Sequence, residues 1–68
     1  MICVMAKFTV FMVYHDDSEF NFEVTLEGSE HVIRAELMMI VRGTLMASGA
    51  CKATAYNEEG FDVVSYIQ

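Results

Sequence analysis

Hydrophobic and polar positions alternate cleanly along residues 19–27, EFNFEVTLE. Phe20, Phe22, Val24 and Leu26 fall on one side, and Glu19, Asn21, Glu23, Thr25 and Glu27 on the other. A period of two predicts a half-buried strand with a wet, acidic face. Residues 8–14, FTVFMVY, are also β-rich, with Phe8, Val10, Met12 and Tyr14 on one face and Thr9, Phe11 and Val13 on the other. Both faces are largely apolar, so this pattern predicts a central strand whose second face is at least partly covered. His15, Asp16, Asp17 and Ser18 lie between the two segments and favour a turn, so the pair reads as a hairpin. The apolar start, MICVMA, either extends the first strand or packs as a loose arm.

The middle of the chain changes period. Gly28 breaks the second strand, Ser29 is placed to cap a helix, and Glu30 suits the positive end of its dipole. The helix is expected to run to about Ala47, with Gly49 as its stop. Gly43 inside it costs about 1 kcal/mol relative to Ala. A glycine there also lets another backbone come close, in a helix–helix or a helix–sheet contact. At about 100° per residue, Ile33, Leu37, Ile40, Val41, Thr44 and Ser48 cluster on one side. Ala35, Met38, Met39, Leu45 and Met46 lie mostly on the other, with Arg42 among them. A surface helix buries one stripe. The first stripe is enough to cover a sheet, and the second needs the N-terminal arm or another chain.

Residues 51–56, CKATAY, read as a third strand whose small residues Cys51, Ala53 and Ala55 leave room for a close helix. Asn57, Glu58, Glu59 and Gly60 form a turn, and residues 61–67, FDVVSYI, a fourth strand. Two hairpins joined by a helix give β-β-α-β-β. A right-handed crossover that skips the first strand yields an antiparallel four-stranded sheet in the order 2-1-3-4, with one helix packed on one face. The fold class is α+β. The alternative is β-β-α-β, with the last segment swapped onto a partner or loosely docked.

Size and charge add assembly to this picture. With 68 residues, the chain is a single domain, 1–68, which buries only about 60% of its unfolded surface and is marginal alone. Cys3 and Cys51 are too few for a disulfide framework, and no Cys/His spacing suits zinc. Oligomerisation is the remedy left, and 54% hydrophobic residues with six methionines agree with it. A net charge of −6 argues against nucleic acid and against an anionic membrane surface. No run reaches the roughly 18 apolar residues of a spanning helix, and the apolar start is too short for a signal peptide. The expectation is a cytoplasmic protein with reduced thiols.

Candidate chemistry is sparse. Asp16, Asp17 and Glu19 crowd one turn without the spacing of a calcium loop. His15 and His31 have no nucleophile near them in sequence, and Lys52 is the only cation beside Cys51. No catalytic residue, cofactor or metal is expected, and the chain reads as a non-enzyme. Met38, Met39, Leu45 and Met46 are the expected self-association surface of a homodimer. Asp16, Asp17, Glu19, Glu23 and Glu27 form a second contact surface, suited to a basic partner.

Residues 18–39, SEFNFEVTLEGSEHVIRAELMM, resemble small phage- and prophage-encoded ββα-type proteins, in which an acidic turn and F-x-F-E-V run into a helix and a final strand. Some of these inhibit host RNA polymerase or other host enzymes. The resemblance covers about a third of the chain and implies an origin, the host cytoplasm and a regulatory role through binding a host protein. The basic residues such inhibitors can use to grip an acidic target are not evident here, so no functional residue is carried over. Two rivals remain. One is a small-molecule binder or enzyme with a helix–sheet pocket, for which Tyr14, Thr44, Cys51, Tyr56 and Ser65 are the scattered candidates. The other is a structural subunit of a larger assembly.

Overall fold

In the structure, a computed structural model that describes residues 3–68, four strands and one helix follow each other. They are β1 (Val4–Val13), β2 (Glu19–Gly28), α1 (Glu30–Ser48), β3 (Lys52–Asn57) and β4 (Asp62–Ile67). The sheet order is β2-β1-β3-β4, and every neighbouring pair is antiparallel. This is the α+β arrangement that the pattern predicts. β4 pairs with β3 of its own chain, so the swapped alternative does not hold.

Strand alternation builds the core. Phe8, Val10 and Met12 of β1, Ala53 and Ala55 of β3 and Val64 of β4 are buried together with Ile33, Leu37, Val41 and Leu45 of α1. Val10, Leu37 and Val41 are the largest fully buried side chains, and burying each contributes about 1.5–3 kcal/mol. The two alanines carry no bulk beyond Cβ, which lets the helix lie close to the sheet centre.

The corner between β2 and α1 sets the start of the helix. Ser29 (φ −73°, ψ 162°) accepts a hydrogen bond from Val32 N through its hydroxyl at 3.4 Å. Gly28 before it has φ +146°, and a Cβ there would sit 3.2 Å from Val32 Cγ1. Only glycine meets both demands at this strand-to-helix corner.

Leu45 corrects the reading of the helix faces: it is only 4% exposed and belongs to the core. Four residues advance about 40° beyond a full turn, so the row Ile33, Leu37, Val41, Leu45 winds slowly round the helix. The sheet contact follows this row and not a fixed sector. Ile40 and Thr44, assigned to the sheet side, are half-buried, and Ser48 is exposed.

β1 differs from its predicted extent in an instructive way. It starts at Val4, four residues early, and pairs with β2 along its whole length, Val4 facing Gly28. The apolar start therefore extends the strand from Val4 onward, and residues 4–6, paired along β2, do not cover the methionine side of α1, where Met39 and Met46 stay exposed. Met1 and Ile2 lie outside the described residues. The β1–β3 ladder covers only Phe8 to Val13. Residues 4–7 of β1 thus overhang β3, with β2 beside them on one edge alone.

The second face of β1 is sheltered only from within the sheet. Thr9, Phe11 and Val13 are half-buried. Phe11 meets Tyr56 edge-on, ring centroids 5.5 Å apart at 84°, and the Thr54 and Ser65 hydroxyls lie 3.1 Å apart. No second layer lies on this face among the described residues.

Candidate interaction surfaces

The outer side of α1 carries the largest exposed apolar side chains of the helix. Met39 is 74% exposed, Met46 66%, Val32 45% and Met38 39%. Val32, Met39 and Met46 recur every seven residues, so they drift by only about 20° per step and form a line about 21 Å long. Ala35 and Arg42 stand three residues after Val32 and Met39, completing the spacing of a helix–helix seam. Gly43 lies beside this line, and a Cβ there would meet nothing within 4 Å. Its backbone is open to the outside, so the expected helix–sheet approach at Gly43 does not occur. Of the expected self-association residues, the structure keeps Met38, Met39 and Met46 outside and removes Leu45. Val32 was missed, and the seven-residue interval was the signal that could have found it.

The acidic residues divide into two groups. Glu19, Glu23 and Glu27 are exposed and lie across from Val13, Thr9 and Met5 on the helix-free face. β2 is an edge strand, and charges along an edge discourage pairing with another sheet. Asp16 and Asp17 belong to the β1–β2 turn, closed by a 2.9 Å bond from Tyr14 N to Ser18 O. The Asp16 carboxylate accepts from the Ser18 hydroxyl and, at 3.0 Å, from Ser18 N. These bonds, the hydroxyl one first, hold its carboxyl below the usual 3.8. Asp17 adopts φ +65°, which aspartate tolerates in turns. The five carboxylates are therefore a turn pair and a strand row. Among the described residues, no cluster of three or more His, Cys, Asp or Glu could hold a metal ion.

A groove of about 420 Å³ opens between α1 and the overhanging end of the sheet. Ala6, Phe8, Ile33, Leu37 and Val64 line it, with Glu30, His31 and Arg34 at its helix wall. None of Tyr14, Thr44, Cys51, Tyr56 and Ser65 takes part in that lining. Tyr56 lines a shallow concavity on the opposite face with Phe11, Lys52 and Thr54. Tyr14 lies by the turn, near His15 and Gly49. Cys51 Sγ is 3.2 Å from the Val13 carbonyl oxygen, which accepts its weak hydrogen bond. Cys3 is exposed. The polar groups proposed for a ligand pocket do not converge.

No protein-family model, curated protein or solved structure matches the chain. Among the described residues, no helix is long and apolar enough to cross a membrane.

Proposed function

We propose that this chain is a small, non-enzymatic protein-binding protein that self-associates through the outer side of α1 and acts by engaging a second protein. The observation that carries the reading is the exposed line Val32, Met39, Met46 on a well-capped helix. Contiguous apolar surface of this kind marks an interface, and methionine adapts to a partner better than a branched side chain does. A second copy is the preferred partner on this side. Soluble oligomers are mostly symmetric homo-oligomers, and a domain of this size gains most from added burial. The acidic row Glu19, Glu23, Glu27 supports a basic surface on the other protein. A phage or prophage origin, with a host protein as target in the host cytoplasm, belongs to the same proposal and rests on the resemblance over residues 18–39.

The test is the mass of the double variant Met39→Lys, Met46→Lys by light scattering. The wild type is expected at a multiple of 7.7 kDa and the variant, still folded, at the monomer mass. A wild-type mass retained by the variant, or a monomeric wild type at high concentration, removes the reading.

A further inference from the structure

The backbone edge of β1 points to a second site, independent of the methionine line. On the β3 side, the Val13 carbonyl accepts from Cys51 N at 2.8 Å, and on the β2 side Tyr14 N donates to Ser18 O at 2.9 Å. Backbone groups alternate sides along a strand. From these two anchors, the N–H and C=O groups of Met5 and Lys7 turn toward the β3 side, yet the β1–β3 ladder stops at Phe8. No strand lies beside residues 4–7 on that side among the described residues. The result is a vacant position one strand wide, about 4.8 Å, collinear with β3 and next to the helix–sheet groove.

We propose that this slot accepts an extended segment of a partner protein, added antiparallel to β1 as a short extra strand. The vacant edge calls for an extended backbone, because only that pairs with Met5 and Lys7 together. Strand alternation then fixes the side chains. Residues across from Val4 and Ala6 point to the groove lined by Phe8, Ile33, Leu37 and Val64, so they are apolar. Residues across from Met5 and Lys7 point to the helix-free face, where Lys7 favours a carboxylate directly opposite. Two of the chain's four Lys and Arg, Lys7 and Arg34, flank this slot, with His31 near Arg34 and Glu30 the one acid on the groove wall. A second copy is the poorer occupant: its own residues 4–7 are Val, Met, Ala and Lys and bring no carboxylate. The outer edge of β2 is guarded by Glu19, Glu23 and Glu27.

The probe is a capped peptide, Glu-Val-Thr-Ile-Thr, added in millimolar excess to the full isotope-labelled chain. Its Glu falls across from Lys7, and its Val and Ile enter the groove. The expected result is a shift of the Met5 and Lys7 amide signals with slowed hydrogen exchange there. Both effects should vanish for the same peptide N-methylated at Glu and Thr. Met5→Pro removes an outward donor while Val4 and Ala6 keep their bonds to β2, and should abolish the response. Should that variant fold poorly, Lys7→Glu, at an exposed position, provides a second route: weaker binding of the Glu peptide and stronger binding of its Lys counterpart. Unchanged Met5 and Lys7 signals overturn the proposal, as do equal responses to the N-methylated peptide or shifts confined to the methionine line. Protection of Met5 and Lys7 that grows with protein concentration, without peptide, assigns the slot to a second copy and overturns it too.

Discussion

On the inner side of α1 stand Ile33, Leu37, Val41 and Leu45, and on the outer side Val32, Met39 and Met46. The two sets are similar in hydrophobicity and differ in interval and in shape. The inner set recurs every four residues and consists of branched side chains, whose few rotamers give a core one fixed packing. The outer set recurs every seven and is mostly methionine, which has three rotatable bonds and no fixed shape to match. Hydrophobicity alone does not tell which side of a helix a small domain keeps for itself. Interval and side-chain shape together do.

Leu45 and Met46 are neighbours in sequence and offer the sharpest contrast. Leu45→Ala should destabilise the fold by about 2–5 kcal/mol, the range for a buried Leu whose cavity relaxes incompletely. Met46→Ala should stay within about 0.5 kcal/mol in the monomer, as for an exposed position with no special role. Denaturant titration in dilute solution, where association does not contribute to apparent stability, separates the two. Equal losses under those conditions would mean that Met46 is held by its own chain, and the two sides would no longer differ in kind.

Much of this contrast was legible in the sequence, and the part that was not has a definite cause. The strand of residues 19–27 was read correctly because its period of two leaves one assignment. The sheet order followed from the doubly apolar residues 8–14, which fit only a central strand. Leu45 was misplaced because a fixed angular sector ignores the winding of an i, i+4 row across a sheet. Val32 stands outside both stripes of the sequence pattern because it lies in the first turn of α1, where only its seven-residue interval to Met39 and Met46 marks it. The slot beside Met5 and Lys7 had no sequence signal at all. It arises from a length mismatch between strands of ten and six residues, and a pairing register cannot be read from either strand alone.

Gly43 sharpens the comparison at a smaller scale. It lies next to the outer line with open space at its missing Cβ, so nothing in the chain itself requires glycine there. Gly43→Ala should stabilise the monomer by up to about 1 kcal/mol through helix propensity. If two helices approach closely over this position, the same methyl group should weaken self-association. Thermal melts at low concentration and sedimentation equilibrium should therefore move in opposite directions. A higher melting temperature with unchanged association would place the helix contact away from Gly43.

The smallest expected effect is at the β1–β2 turn, which lies against Gly49, the cap where both sides of α1 end. The Asp16 carboxyl sits below its usual value because the ionised form accepts from the Ser18 hydroxyl and Ser18 N. A carboxyl whose folded pKa is depressed favours the fold above its unfolded pKa. That contribution fades as pH falls through the lower, folded value. Asp16→Asn keeps an acceptor for Ser18 N and removes the titrating group. The wild type should therefore hold a small, constant advantage at neutral pH that shrinks as the pH falls below 3.8. Denaturation midpoints of the two proteins across that range measure it. Parallel curves would show that the turn holds its shape without the charge.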